Sequence, residues 1–529
     1  MIVKNTVTDS IFCGKFSTSP LAYREIIIMN FEQLEIWFVT GSQHLYGEET
    51  LSKVDAQSAA VVAGLNRSGN LPFRIVYQGT VCSAAEIADK LGQANVTRNC
   101  VGVITWMHTF SPAKMWIHGL QTLQKPLLHL HTQFQREIPW DTIDMDFMNL
   151  NQSAHGDREF GHIVSRMRKP RKVVVGSWED ADVQQKIAVW MRVCAAWDDA
   201  RGMRIVRFGD NMNNVAVTDG DKVEAEIQFG YHIDYYSIGD LAEIVAAVHD
   251  REIDLLVDEY ESLYDFSDDV KSGAKNHGQV REAARIEVAL RKFLKQTDAN
   301  AFTTSFDALH GLNQLPGLAS QRLMNDGFGF GAEGDWKTAA LVRTMKVMAH
   351  GLPGGTSFLE DYVYHFKGKG AALQAHMLEI CPSISGEKPR LEVHPLGIGG
   401  KADPARLVFT AHEGTGVAAT VVDMGNRFRM IVNQVDCIAP EEELPKLPVA
   451  RAFWTPQPDL KTSAHAWILA GGTHHTSFSF ALTQEYLDDY AEIAGMEMLR
   501  IGNETTIESF KKELRNNEIY YMLNKVVKS

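Results

Sequence analysis

From residue 34 onward, short β-branched or aromatic runs alternate with helical patterns, and a chain with that rhythm builds a parallel sheet covered by helices on both faces. The segment Leu34-Glu-Ile-Trp-Phe-Val-Thr-Gly41 reads as the first strand, followed by a helix over 49–65 and a strand over 73–78. A helix starting near Ser83, a strand over 101–107, a helix over 112–123 and a strand over 126–131 continue the series. Parallel neighbours cannot be joined by tight hairpins, so each crossover must carry its helix. Ligands of such sheets bind outside the carboxyl ends of the strands. The loop Gly41-Ser-Gln-His-Leu-Tyr-Gly47, directly after the first strand, is therefore a candidate binding element.

A second α/β region begins after the basic stretch 166–171, with a strand over 172–175, a helix over 181–196 and a strand over 204–208. The boundary falls between 170 and 205 and is set at 203/204. Further helical patterns cover 239–248, 280–294 and 336–348. Beyond Gly351 the character changes: 391–393, 406–409, 417–422 and 428–432 are short β-type runs separated by Gly, Asp and Asn, the pattern of an antiparallel or barrel-like domain. The expected fold class is α/β, with two doubly wound, Rossmann- or flavodoxin-like parallel-sheet domains (30–203 and 204–354) followed by a β-rich, barrel-like domain (355–529). Residues 1–29 are set aside as an extension without amphipathic period or the continuous apolar centre of a secretory signal. The expectation there is a misassigned start: Arg24-Glu25 corresponds to a purine-rich ribosome-binding sequence ahead of a true start at Met29, and mass spectrometry of the native gene product reads the N-terminus directly.

At 529 residues the chain exceeds what one core usually covers, and its 45% apolar content supplies material for several. The net charge of -14, with no block of Lys and Arg, argues against nucleic acid or an anionic membrane as partner. No run approaches the roughly 18–20 apolar residues a membrane span needs, so a soluble, cytoplasmic protein is expected. The six cysteines (Cys13, Cys82, Cys100, Cys194, Cys381, Cys437) are scattered singly and read as reduced, mostly buried thiols.

Several motifs have a bland reading. Gly327-Phe-Gly-Phe-Gly-Ala332 fits a dinucleotide turn in spelling, but no strand leads into it and no acidic residue follows at the required distance. Gly-Ile-Gly-Gly at 397–400 lacks the lysine and hydroxyl of a phosphate loop and reads as a turn between strands. His474-His475, in a small-residue loop, is either a metal site or a hydrogen-bonded loop pair, with no HExxH or CxxC spacing to favour zinc. Glu333, between glycines just before a helix, is either a catalytic carboxylate or a helix cap. Glu360-Asp361 is an acidic pair inside the aromatic run Phe358-Leu-Glu-Asp-Tyr-Val-Tyr-His-Phe366, which fits a buried site but has a structural reading too.

Taken together, these residues stop at a globular α/β protein with carboxylate and imidazole clusters. A resemblance carries further. From Leu34 to about Tyr521 the chain resembles the L-arabinose isomerases, through Trp37-Phe-Val-Thr-Gly-Ser-Gln-His-Leu-Tyr-Gly47, Trp106-Met-His-Thr-Phe-Ser-Pro-Ala-Lys-Met-Trp116, Met145-Asp-Phe-Met-Asn-Leu-Asn-Gln152, Glu333-Gly-Asp-Trp-Lys-Thr-Ala339, Gly355-Thr-Ser-Phe-Leu-Glu-Asp-Tyr362 and Gly471-Gly-Thr-His-His-Thr476. It implies an aldose-ketose isomerase that interconverts L-arabinose and L-ribulose and also takes D-galactose to D-tagatose. It further implies a divalent metal on Glu333, Glu360, His376 and His475. Oxygen and imidazole ligands suit Mn²⁺, with Co²⁺ or Mg²⁺ as substitutes; Mn²⁺ is also what the resemblance implies, at one per subunit. His474 and His350 are assigned structural or supporting places.

Substrate contacts implied in the same way are Gln43, Leu45, Gln152, His155, Met212 and Phe306. Because they come mainly from the first two domains, the resemblance implies a homohexamer whose sites lie between subunits. Two departures stand out: Asp157, where related sequences often have Gly, and Asp307-Ala308, where they often have Glu-Asp. The chemistry explains the ligand types. Moving a carbonyl from C1 to C2 requires hydrogen transfer beside a weakly acidic carbon, with charge developing on oxygen. Glu333 and Glu360 are the implied acid/base pair of an enediol route, and a hydride shift would use much the same residues. A related ketol-isomerase preferring L-fucose or another hexose, and a non-catalytic sugar-binding protein, are the competing readings.

Overall fold

The computed structural model describes residues 30–397 and 400–528; the 1–29 extension and Cys13 lie outside the described residues. Five strands form the first sheet: β1 (Glu35–Gly41), β2 (Arg74–Val81), β3 (Cys100–Met107), β4 (Leu127–His131) and β5 (Lys172–Val175). Their order is β2-β1-β3-β4-β5, and every pairing is parallel. Strand periodicity sends alternate side chains to opposite faces. Accordingly, Ile36 and Phe38 of β1 join a core with Val61 and Leu65 of the helix Gly47–Arg67 and with the helix Ala181–Ala200. Trp37 and Val39 join a second core with Ile87 and Leu91 of Ala84–Val96 and Phe160 of Ser153–Arg166. This is the doubly wound arrangement expected from the alternating pattern.

One placement differs from expectation. The strand at 172–175, read as opening the second α/β region, pairs with β4 (Leu128 opposite Lys172) and closes the first sheet. The basic stretch before it is the connection from the helix Ser153–Arg166, and no change of local pattern marks which neighbour a parallel strand will choose.

The second sheet is also parallel, in the order β10-β9-β6-β7, from β6 (Arg204–Phe208), β7 (His232–Tyr236), β9 (Ala301–Thr304) and β10 (Gly329–Ala332). The two-residue β8 (Asp265–Phe266) lies apart from it. The glycine-rich run at 327–332 thus leads into and forms the strand Gly329–Ala332, and the two strand glycines have a packing reason. A Cβ on Gly329 would stand 2.1 Å from the Ala339 carbonyl oxygen, and one on Gly331 2.3 Å from that of Asp335. The helix Trp336–Met348 lies directly on this strand, and every one of its residues is buried. Its charges are answered: Arg343 pairs with Asp199 at 2.7 Å, and Lys346 donates to the Thr356 carbonyl at 2.6 Å. Gly329→Ala should destabilise the protein by about 1–3 kcal/mol through overpacking against helix backbone, read as a lower urea midpoint at unchanged slope.

Strands β11 (Thr356–His365), β12 (Ala371–Ala375), β13 (Arg390–Val393), β14 (Ala405–Val408), β15 (Gly414–Asp423), β16 (Phe428–Cys437), β17 (Arg451–Pro456), β18 (His475–Ser479) and β19 (Glu497–Ile501) follow. Six of them run β15-β18-β11-β12-β17-β16, and β15 pairs again with β16, closing an antiparallel barrel to which β19 adds in parallel. Closure removes the sheet edges. The segments expected as barrel strands at 391–393 and 406–409 instead form β13 and β14 of a small sheet with β8, and their Leu391 and Leu407 enter the core shared with the central region. The 397–400 segment follows β13 and precedes β14 in the chain; 398 and 399, and with them the expected turn, lie outside the described residues. Among the described residues no helix is long and apolar enough to cross a membrane, and the five described cysteines are buried and free.

Candidate metal and catalytic site

Where the central sheet meets the barrel, two carboxylates and three imidazoles converge. Glu333 follows β10 immediately, at the carboxyl end of a parallel strand, in a left-handed conformation (φ 59°) that is uncommon for a residue with a Cβ. Its carbonyl accepts from the Met212 N–H (3.0 Å), and the next residue, Gly334, is bonded to the Thr304 carbonyl and the Asn211 amide. The loops after β6, β9 and β10 therefore hold the Glu333 backbone from three sides. The helix cap here is Asp335, whose carboxylate accepts from the Thr338 N–H and hydroxyl, so the capping alternative for Glu333 does not hold.

Glu360 sits on β11 directly opposite His475 on β18 and Ala375 on β12. In an antiparallel pair, opposed residues share a face, so this register sets Glu360 beside His475, and His376 follows at the end of β12. Glu360 lies 3.4 Å from His376 Nε2, Glu333 lies 3.8 Å from His475 Nε2, and His474 Nε2 is 3.7 Å from Glu333 and 3.9 Å from Glu360. Single ligand atoms of Glu333, His474 and His475 fall within 4.8 Å of one another, a spacing able to hold a metal ion. His474, assigned a supporting place from sequence, is thus inside the cluster.

Each of the two buried imidazoles has a carboxylate behind it. His475 Nδ1 bonds Asp335 (3.0 Å), and His376 Nδ1 bonds Glu379 (2.5 Å). Such backing carboxylates orient metal-ligating histidines and fix which ring nitrogen is free. His475 is fully buried, and its Nε2 has no hydrogen-bond partner; a buried polar atom is costly unless something answers it. The edge of the buried Phe358 ring supports both imidazoles, at 5.1 and 5.3 Å between ring centres. These residues fit a divalent cation: oxygen and imidazole donors converge, and an orphaned nitrogen faces them.

Electrostatics separate the two glutamates. The neighbouring His474 imidazole holds the Glu333 carboxyl below its ordinary value, outweighing burial. Burial pushes Glu360 up against the pull of the histidines. His474 is raised by the nearby Glu333, and in His376 burial is overcome by Glu379 and the neighbouring glutamates, which raise it.

Of the residues assigned to substrate, Met212 touches the Glu333 backbone, and Phe306, just past the end of β9, packs half-buried against the central core. Gln43, Leu45, Gln152 and His155 gather elsewhere, at the carboxyl end of the first sheet. Gln43 precedes the turn His44–Tyr46; the Tyr46 hydroxyl reaches Gln152 (3.4 Å), and His155 packs on Phe110. Among the described residues, no hydrogen bond, ion pair or ring contact joins this group to the glutamates and histidines. Leu45 is 83% exposed.

Asp157 and Ser305-Asp307 account for the two departures. Asp157, buried in the helix that begins beside Gln152, accepts from the Met107 N–H (3.0 Å) and from rings of His129 and His131 (both 2.8 Å), tying that helix to β3 and β4. Asp307 accepts from the Ser305 hydroxyl, closing the turn around Phe306. His131 is raised above its usual value of 6.5 by Asp157. A raised histidine stabilises the fold fully below the unfolded value, and that contribution is lost as pH rises through the folded value. Asp157→Ala should lower stability by about 1–3 kcal/mol, by stranding buried donors, and should flatten this loss above pH ~6.5; chemical denaturation across pH reads both.

Asp335, Glu379 and Phe358 are the residues sequence reasoning passed over. Their signals were present: an Asp three residues before a Thr at a helix start, a Glu three residues after a proposed ligand, and an aromatic two residues before another.

Comparison with known proteins gives three matches along the chain: the L-arabinose isomerase N-terminal domain at 30–202, the central domain at 204–351 and the C-terminal domain at 355–497. The L-arabinose isomerase of Herpetosiphon aurantiacus is 59% identical over 499 residues, covering 94% of this chain and all of its own. That of Bacteroides thetaiotaomicron is 61% identical over 505 residues (94% and 99%), and that of Geobacillus stearothermophilus 56% over 495 (93% and 99%).

Proposed function

Because this chain belongs to the L-arabinose isomerase family, we propose that it is an aldose-ketose isomerase converting L-arabinose to L-ribulose, with D-galactose to D-tagatose as a slower reaction. The observation that carries the reading is the pair of carboxylate-backed histidines, His376 and His475, whose Nε2 atoms face Glu360 and Glu333. Glu333, Glu360, His376 and His475 would hold one Mn²⁺ per subunit, with Co²⁺ or Mg²⁺ as substitutes and His474 alongside. When bound, the cation supplies Lewis-acid polarisation of the sugar oxygens on C1 and C2.

The protein's part is to move protons. One glutamate removes the C2 proton while the other delivers a proton to the C1 oxygen, giving the enediol; the return transfers take the proton from the C2 hydroxyl and place one on C1. The two carboxyls differ in surroundings: His474 favours the charged form of Glu333, and burial favours the neutral form of Glu360. His474 is within reach of both and steadies the charge on Glu333. Asp335 and Glu379 keep the protonated ring nitrogens turned away from the substrate side.

Met212 and Phe306 would line the pocket from the same subunit. Gln43, Leu45, Gln152 and His155 would serve a neighbour's pocket, in a homohexamer of three-domain subunits divided near 203/204 and 354/355. The exposed apolar side chains Leu45, Trp140, Met145 and Met148 on the first domain support such an interface. The acidic surface and scattered thiols suit the cytoplasm. A panel of L-arabinose, D-galactose and L-fucose with the Mn²⁺-loaded enzyme tests the assignment. Fastest turnover on L-arabinose is expected; fastest turnover on L-fucose would make this a different ketol-isomerase, and sugar binding without turnover a binding protein.

A further inference from the structure

The strand that turns Glu360 toward the histidines turns the next residue, Asp361, to its other face. Asp361 there lines a cleft of about 30 Å³ together with side chains from all six barrel strands, so the cleft is the interior of the barrel at one end. The helix Leu460–Leu469 covers it with Ser463 and Trp467. Among the described residues, Asp361 is the only charged side chain lining it.

That carboxylate is half answered. One oxygen accepts from the amide of Gln374, the residue opposite it on β12. The other has no hydrogen bond and no ion pair among the described residues, and it is not sealed from solvent. His474, the cationic group whose field reaches Asp361, is itself within 4 Å of the two glutamates. Donors around the cleft are mostly spent on the protein. The Thr476 hydroxyl goes to the Leu359 carbonyl, the Ser463 hydroxyl to Asn433, and the Trp467 indole to the Thr473 carbonyl. The Asn433 amide is used on the carbonyls of Gln434, Gln457 and Ile501. What remains is oxygen lone pairs and the rings of Tyr364, Trp454 and Trp467, with only the neutral Trp454 N–H and Tyr364 hydroxyl as donors.

A charge withdrawn from water is costly unless it is paired, and aromatic walls attract cations as well. The space is on the order of one or two water molecules, too little for an organic cation. A single carboxylate is also too little for a divalent ion, which gathers more oxygens or keeps several waters. We propose that this end of the barrel binds a monovalent cation of the potassium or ammonium class, held by the free oxygen of Asp361 against the aromatic walls. The cation would neutralise a charge directly behind Glu360 and brace the strand that carries it.

The test uses the full chain at saturating Mn²⁺, so that the glutamate and histidine cluster is filled and does not contribute a response. Potassium chloride and, separately, ammonium chloride are titrated at constant ionic strength against choline chloride, with thermal midpoint and tryptophan fluorescence as readouts. A saturable rise in midpoint with a matching fluorescence change is expected. A response to both salts marks a site selected by size, and a response to one of them identifies its ion. Asp361→Asn should weaken the affinity about tenfold or more, the scale of one lost charged partner, and in choline should be no less stable than the wild type. Ala372→Val, which keeps the charge but fills space in the cleft, should weaken binding too. No saturable effect beyond choline, or an Asp361→Asn protein that responds like the wild type, would overturn the proposal. The first of these is what a proton on Asp361 would give, since burial pushes that carboxyl up.

Discussion

Glu333→Gln and Glu360→Gln should each lower kcat on L-arabinose by about 10²- to 10⁴-fold, the range that a positioned acid or base contributes. Both substitutions keep side-chain length and hydrogen-bonding capacity, so the fold should survive. Glu333 is anchored through its backbone rather than its carboxylate, by Met212 and the Gly334 contacts. Glu360 is fixed by its strand register between β12 and β18. Measured at saturating Mn²⁺, with circular dichroism and urea unfolding alongside, the loss should appear in turnover without a fall in stability. Wild-type kcat in either variant would remove the acid/base assignment, and unfolding would locate the effect in structure instead.

Asp335→Ala should be the most damaging single change to stability. The carboxylate caps a buried helix through Thr338, orients His475, and lies 3.3 Å from the ammonium of Lys337, which is itself buried. Removing it leaves a buried cation supported by carbonyls of Thr218 and Asp219 and by the face of the Trp336 ring, with no carboxylate. Breaking such a pair from one side costs about 3–5 kcal/mol. The pH dependence has a definite sign. Burial alone would raise the Asp335 carboxyl, but Lys337 and His475 hold it well below the ordinary carboxylate range. Its contribution is therefore fully present above the unfolded value of about 3.8 and is lost as pH falls through the depressed folded value. Acid unfolding of the wild type should include this loss, and the Asp335→Ala protein should lack it. A destabilisation below about 1 kcal/mol would mean the pair is solvated.

Much of the architecture was legible because period and fold are directly linked. The alternation from Leu34 onward gave the first sheet, and Ile36/Phe38 against Trp37/Val39 divide between its two cores as a two-residue period requires. What was not legible is partner choice. Nothing local in Lys172–Val175 says that it joins β4, and nothing in Arg390–Val393 says that it pairs with β8 rather than the barrel. Likewise, the glycines at 329 and 331 resembled a nucleotide turn in spelling, and only the approach of the helix backbone explains them.

The site was legible in part for the same reason. Glu333, Glu360, His376 and His475 carry unusual chemistry in unusual surroundings, and the resemblance pointed to each. Their supports are ordinary residues whose roles depend on distant partners. Asp335 meets His475 from 140 positions away, a contact made by the barrel closing onto the central sheet. His474 was given a supporting place because no ligand implied by the resemblance falls on it; it precedes β18, and its Nε2 lies within 4 Å of both glutamates.

The most direct test of the central reading is L-ribulose formation from L-arabinose by the chelator-stripped protein, before and after Mn²⁺ is restored. Metal-dependent turnover is expected: negligible product from the stripped enzyme and full recovery at about one Mn²⁺ per subunit, with recovery impaired in His376→Ala and His475→Ala. Equal turnover with and without the metal, in a protein shown to retain none, would contradict the assignment of Glu333, Glu360, His376 and His475 to a cation.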